Sequence, residues 1–333
     1  MQAMILEEPA PIETEPLKLV EIPVPEPGHF DIRVRIKVCG ICHTDLHEIE
    51  GELPLVKKPL VPGHQIVGVV EKIGERVTRF KQGDRVGMAW LYSTCRKCLF
   101  CKSDRENLCP DAQFTGYHVN GGYTQYTIVS EDFAYSIPEV FNDREASPLL
   151  CAGIIGFRAL RQSVIKPNQR LGLYGFGASA HIAIQVAIFW GCKVYVFSRS
   201  KEHQKLAMKL GAVWTGDTTD KPPEKQDSAV IFAPAGKIVP NALADLEKGG
   251  TLALAGIYMT AIPELDYTKH LYYEKTLRSV TASTRKDGED LLDIAAQIPI
   301  RPETTLFPLK DANRVLKLLK DRKINGAGVL EIP

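Results

Sequence analysis

A chain of 333 residues with 41 basic against 40 acidic side chains offers no charge argument for a nucleic-acid or anionic-membrane partner. The length suits about two domains and allows cores that need no disulfides. No apolar run approaches a membrane span, and residues 1–9 carry acids where a leader would be basic and apolar.

The first 150 residues are rich in Pro, Gly and short β-branched runs, and 32–38, 66–73 and 123–129 read as strands joined by turns. Between the first two runs lies Cys42-His43-Thr44-Asp45-x-His47, then Pro62-Gly63-His64-Gln65. Four cysteines follow as Cys95-x2-Cys98-x2-Cys101-x7-Cys109. Thiolates spaced two apart wrap one tetrahedral ion, and a fourth a short loop away closes the shell. A disulfide or buried-thiol reading competes, as does an iron–sulfur reading, but ferredoxin runs place the fourth cysteine three residues on where this chain leaves seven. The spacing predicts a closed, structural zinc site whose shell leaves no position for a substrate. Further on stands Pro148-Leu149-Leu150-Cys151-Ala152-Gly153. Cys42, His64 and Cys151 would form a Cys2His set, the pattern of catalytic zinc with one open position. Spacing alone is a weak signal here, since such a Cys is usually a small core residue and His64 could simply satisfy a turn. With most of the eight cysteines assignable to metal, a reducing compartment is expected, by default the cytoplasm.

From about Leu171 the texture changes. A strand at 171–174, a helix at 178–190 and a strand at 193–197 make a βαβ unit, which favours a parallel sheet covered on both faces. Gly175-Phe176-Gly177-Ala178-Ser179-Ala180 between the first two is the G-x-G-x-x-G/A pattern of a dinucleotide turn. Gly175 permits the tight turn, Gly177 lets the backbone approach a pyrophosphate, and Ala178 opens a helix whose free N–H groups face the anion. Ala180 takes the third glycine position. At the end of the second strand, Ser198 and Arg199 stand where an acid would grip a ribose 2′-hydroxyl, so NADP(H) is favoured over NAD(H). Further strands are expected at 228–232, 251–255 and 278–282, with a surface loop at 217–226. After about Arg285 the chain turns helical, with Asp311 as an N-cap. Lys317, Lys320, Arg322 and Lys323 read as the wet face of a helix.

Together these landmarks resemble the zinc-dependent medium-chain alcohol dehydrogenases over nearly the whole length. The matches are residues 39–47 (CGICHTDLH), Pro62-Gly63-His64, Gly83-Asp84-Arg85-Val86, the four-cysteine lobe, Cys151-Ala152-Gly153 and the glycine turn, all in the family's order. The resemblance implies an α/β protein with a GroES-like, mostly-β catalytic domain over 1–152, completed by 286–333 and carrying a structural zinc lobe at about 93–112. A Rossmann domain with a doubly wound parallel sheet would cover 153–285. It implies two zinc ions per subunit, the catalytic one on Cys42, His64 and Cys151, with Cys39 a core thiol and Asp45 orienting His64 from behind. Thr44 would touch the substrate oxygen, His47 would pass the proton towards solvent, and His43 would contact the cofactor phosphate. Leu53 and Trp90 occupy pocket-wall positions, which suggests primary alcohols and aldehydes, with cinnamyl-type aldehydes an alternative. A homodimer or homotetramer is implied as well. A non-catalytic cofactor-binding protein and a zinc-free quinone or enoyl reductase on the same fold are the competing readings. Two departures stand out. Gln65 replaces the family's usual Glu after the ligating histidine, which bears on ligand exchange, and residues 324–329 lack an arginine that often meets the pyrophosphate.

Overall fold

The computed structural model describes residues 1–298, 300–324 and 326–333. Asn325, within the arginine-free stretch, therefore lies outside the described residues. The chain divides into two compact units, one of Met1–Cys151, Ala282–Ala296 and Arg301–Pro333, the other of Ala152–Thr281 and Gln297–Ile300.

In the first unit the strand Asp31–Gly40 is the organiser. Its side chains alternate between buried and partly exposed until Val38, after which Cys39, Gly40 and Ile41 are all buried. Alternation means one face on the core, and the continuous run marks where both faces are covered. This strand pairs antiparallel with Gln65–Ile73 along its length, and on its other edge with Tyr126–Ser130 and Ala327–Glu331. The sheet continues outward through Arg85–Met88 to Ala134–Ser136, and through Ala327–Glu331 to Thr304–Pro308. Ile32, Val34, Ile36, Ile66, Val70 and Val86 are among the buried side chains, joined by Leu46 and Ile49 from the helix His43–Ile49 and Val315 and Leu316 from the helix Ala312–Lys320.

The second unit is a six-stranded parallel sheet. From edge to edge the strands are Trp214–Gly216, Lys193–Phe197, Arg170–Tyr174, Gln226–Ile231, Leu246–Leu254 and Thr276–Ser279. The chain order reverses between Arg170–Tyr174 and Gln226–Ile231, the switch point of a doubly wound sheet. Four of five residues in Arg170–Tyr174 and in Lys193–Phe197 are buried, as strands covered on both faces require. The rings of Tyr174 and Phe197 stack at 3.9 Å across that pair.

Several expectations are corrected at element ends. The strand expected from 123 begins at Tyr126, because Tyr123 donates its N–H to Pro62 O (3.0 Å) and follows a glycine loop there. The strand expected at 278–282 lies at Thr276–Ser279, and Ala282 adopts a left-handed φ of 47° that a strand excludes. The expected loop at 217–226 ends one residue early, since Gln226 is fully buried as the first residue of a central strand. Asp311 occupies the N-cap of the helix Ala312–Lys320, yet its carboxylate bonds Arg314 and caps no N–H. Arg322 and Lys323 lie beyond that helix, and Lys320 is held by Glu13 and Glu50 instead of pointing free into solvent.

One ion pair ties the cysteine-rich lobe to the C-terminal part of the first unit. Arg285, at the start of the helix Arg285–Gln297, gives its backbone N–H, Nε and Nη2 to the Glu106 carboxylate at 2.7–3.0 Å, with its guanidinium over the Phe133 ring at 4.7 Å. The Glu106 side chain is only 9% exposed, so losing one partner strands a charge out of water. Arg285→Ala, which leaves the Glu106 carboxylate buried without its partner, should therefore destabilise the protein by about 2–4 kcal/mol. Thermal unfolding of the variant checks this, and an unchanged transition would show the pair to be energetically idle.

Candidate active site

The helix His43–Ile49 starts at Cys42, which holds the N-cap in extended conformation. Three residues on, Asp45 reaches back and accepts the Cys42 N–H at 2.7 Å, the reciprocal half of a capping box. The same carboxylate, fully buried, stands 3.2 Å from Nδ1 of His64. A short polar motif thus fixes one sulfur donor and aims one imidazole.

His64 follows a turn made possible by Gly63, whose φ is 96°. A Cβ there would run into the Tyr123 ring and sit 2.9 Å from Cys39 Sγ, so a glycine is required on steric as well as conformational grounds. The third donor, Cys151, sits in a π-helical turn, Leu149–Gly153, directly after a helix that contains Pro148. Such turns recur at functional positions because they re-aim a side chain within a helix.

Cys42 Sγ and Cys151 Sγ each lie 3.4 Å from His64 Nε2. A tetrahedral zinc with bonds of about 2.3 Å to sulfur and 2.0 Å to nitrogen needs S···N edges of roughly 3.5 Å, so the donor set fits. The electrostatics agree. The Cys151 thiol, and after it burial, push the Cys42 thiol well above its ordinary range, because two sulfurs cannot share charge there without a cation. Burial alone would depress the His64 imidazole, but the Cys42 sulfur and Asp45 raise it well above its usual value. A bound divalent ion inverts this logic and deprotonates its thiol ligands.

The four-cysteine lobe is built separately. Cys98 caps the short helix Leu99–Lys102, Cys101 lies within it, and Cys109 closes the turn Glu106–Leu108. Cys98 Sγ is 3.5 Å and Cys95 Sγ 4.0 Å from Cys101 Sγ, bracketing the roughly 3.8 Å edge of a zinc–thiolate tetrahedron. Backbone N–H groups of Lys97 and Cys98 pull the Cys95 thiol down to about 7, whereas burial pushes Cys109 up to about 12. All eight cysteines of the chain are free thiols.

Thr44 and His47 are both half-buried on the helix that starts at Cys42, and exposed His43 lies with its ring 6.4 Å from that of His47. Trp90 meets His64 edge-on at 4.8 Å, placing an indole against the donor set. Two residues that the sequence reading missed complete this wall. Phe114 stacks on Trp90 at 5.1 Å and Tyr117 at 6.0 Å, with Tyr117 Oη donating to Pro54 O at 2.8 Å. Leu53 is half-buried and gives its N–H to His47 O at 3.0 Å. Glu48 was missed too: fully buried, with both carboxylate oxygens unpartnered, and pushed well above the carboxylate range by burial and then by Asp45. No sequence signal distinguishes it from a surface acid.

In the second unit Gly175 has φ of 88°, and a Cβ there would lie 2.9 Å from Ala233 N. Gly177, the N-cap of the helix Ala178–Phe189, has open space where a Cβ would be and supplies no side-chain cap. Ala178 is exposed and Ala180 buried, so the helix mouth faces outward while its third position packs inward. Ser198 is buried and accepts the Ser200 N–H at 3.3 Å; the neighbouring Arg199 is exposed.

Comparison with known proteins gives this geometry a family. Residues 28–139 match the alcohol dehydrogenase GroES-like domain model and 180–297 the zinc-binding dehydrogenase model. The chain is 45% identical, over all of its length and 97% of the relative's, to a probable alcohol dehydrogenase AdhA of Mycobacterium tuberculosis. Among solved structures it resembles a cinnamyl alcohol dehydrogenase of Sorghum bicolor, with a TM-score of 0.89, 28% identity and coverage of 99% and 97% of the two chains. It also resembles the CAD from Helicobacter pylori complexed with NADP(H), with a TM-score of 0.86, 25% identity and 99% coverage of both chains. With both domain models in register and a full-length relative at this identity, the chain belongs to the zinc-type medium-chain alcohol dehydrogenases.

Proposed function

We propose that this protein is a zinc-dependent alcohol dehydrogenase and aldehyde reductase, moving a hydride between a small primary alcohol or aldehyde and a nicotinamide cofactor. The observation that carries the reading is the convergence of Cys42, His64 and Cys151 within 4.8 Å of one another, with Asp45 behind the imidazole. Zinc held there supplies a redox-silent Lewis acid that eases loss of an alcohol proton or polarises a carbonyl, and nicotinamide supplies the hydride partner. The chain's own residues do the rest. Asp45 keeps His64 in the tautomer that presents Nε2 to the metal. Thr44 offers a hydroxyl to the substrate oxygen, and His47 carries the proton towards water. Cys95, Cys98, Cys101 and Cys109 hold a second, structural zinc that braces the lobe.

Residues 1–152 with 286–333 form the catalytic domain in this reading, and 153–285 the cofactor domain. The Gly175–Gly177 turn and the helix mouth at Ala178 receive the pyrophosphate, with His43 as a further phosphate contact. Ser198 and exposed Arg199 favour NADP(H) over NAD(H), since neither repels a 2′-phosphate and the guanidinium pairs with one. The CAD of Helicobacter pylori, bound to NADP(H), is consistent with that choice. The stacked wall of Trp90, Phe114 and Tyr117 supports a second reading, in which the substrates are aromatic aldehydes of the cinnamyl type. No helix among the described residues is long and apolar enough to cross a membrane. A homodimer or homotetramer working in the cytoplasm completes the proposal.

Metal analysis of the purified protein should find two zinc ions per subunit, matching the two donor groups. Cys42→Ala should retain one and lose alcohol-dependent nicotinamide reduction, while Asp45→Asn should bind the catalytic zinc about 10–100-fold more weakly in a chelator competition. A zinc-free, active protein would end the reading. For the cofactor, kcat/KM with NADPH should exceed that with NADH, and Arg199→Ala should lower the NADPH value about tenfold or more while sparing NADH. A wild-type preference for NADH would refute the NADP(H) assignment.

A further inference from the structure

Helical residues five apart face different directions, so His47 and Glu52 have no reason to meet while the helix His43–Ile49 continues. It does not continue. Glu50 caps the helix, Gly51 takes a φ of 78°, and the reversal brings the chain back so that Leu53 N–H bonds His47 O at 3.0 Å. The consequence is a direct contact between Glu52 Oε2 and His47 Nδ1. Gly51 is tied to this geometry twice over, by its positive φ and by a Cβ that would lie 3.1 Å from Pro9 Cβ.

An anionic carboxylate only accepts hydrogen bonds, so the Glu52 contact requires the proton on Nδ1 of the neutral imidazole. That leaves Nε2 as the lone-pair nitrogen. Neutral histidine in water prefers the opposite tautomer, with its proton on Nε2 and no lone pair there. The His47 side chain is 24% exposed and Glu52 64% exposed, so a proton that reaches this pair has bulk water beside it.

We propose that Glu52 is a positioning residue for proton release: it locks His47 in the Nδ1–H tautomer, keeping Nε2 ready to accept the substrate-derived proton. The inference rests on the reading of His47 as the proton carrier. In alcohol oxidation Nε2 takes one proton and the ring becomes imidazolium, stabilised by the carboxylate. The imidazolium then gives the Nε2 proton to water and returns to the Nδ1–H form, with Glu52 unchanged. Aldehyde reduction runs the same exchange backwards.

Nitrogen NMR of the zinc-loaded enzyme labelled with 15N-histidine tests it, with His47→Gln identifying the His47 signals. At alkaline pH, where imidazoles are neutral, wild-type His47 should rest as Nδ1–H. In Glu52→Ala the Nε2–H form should dominate, and Glu52→Asp should restore part of the wild-type signature. In turnover, Glu52→Ala should lose about tenfold in kcat for alcohol oxidation with little change in KM. Millimolar imidazole in the buffer should recover part of that loss. A wild-type His47 resting as Nε2–H, or the same tautomer mixture with and without Glu52, would overturn the proposal whatever the activity. A normal kcat in His47→Gln would instead remove His47 from proton transfer, and it would leave the tautomer result standing as a separate fact.

Discussion

Asp45 is the residue on which the site depends, because one fully buried carboxylate serves two elements at once. One oxygen closes the start of the helix His43–Ile49 by accepting the Cys42 N–H, and the other faces His64 Nδ1. A buried carboxylate without partners would cost several kcal/mol or take up a proton. Here the cost is offset by a backbone donor, a helix N-terminus and an imidazole. The cap and the donor orientation are therefore one interaction. Any change that frays the helix start also releases Cys42, and any change that rotates His64 leaves Asp45 half satisfied.

Around that pivot the backbone is packed too closely for side chains. Cβ atoms added at Gly63, Gly121 or Gly122 would collide with Tyr123, with the Pro62 and Gly63 carbonyls, or with Cys39 Sγ. Gly121 N–H bonds Val61 O at 2.7 Å and Gly122 N–H bonds Gly63 O at 2.9 Å. Two loops distant in sequence thus zip together without any regular element. This rigidity lets His64 sit on a turn and still be held in place, which a donor on a free loop would not be. The lobe of four cysteines is fastened by different means, an ion pair between buried Glu106 and partly exposed Arg285.

Much of this was legible in the chain. The β-branched run at 32–38 marked the strand found at Asp31–Gly40, and the strand–helix–strand order around 171–174 and 193–197 announced a sheet covered on both faces. Both donor groups were readable because cysteine spacing is a local signal and several motifs occurred in one order. What stayed hidden depends on the backbone or on distant packing. The π-helical turn at Cys151 follows Pro148, whose missing N–H breaks the regular bonding pattern in a way that composition does not reveal. Phe114 and Tyr117 join Trp90 only because the strand Gln113–Phe114, more than twenty residues on, pairs back onto Leu91–Ser93. The meeting of Glu52 with His47 needs the left-handed turn at Gly51, without which the pair would point apart.

The glutamine that departs from the family pattern occupies a buried, closely packed place. Gln65 is 2% exposed, its backbone carbonyl is held by Ser147 Oγ at 2.7 Å, and its Oε1 would press on a Cβ at position 40. Glu48, on the helix turn after Asp45, is buried as well: burial first, and Asp45 second, push its carboxyl well above the ordinary range. Positions 65 and 48 thus both put polar groups out of water, an amide at 65 and at 48 a carboxyl whose charged form burial opposes. A centre built around one buried carboxylate makes any further charge close to it costly.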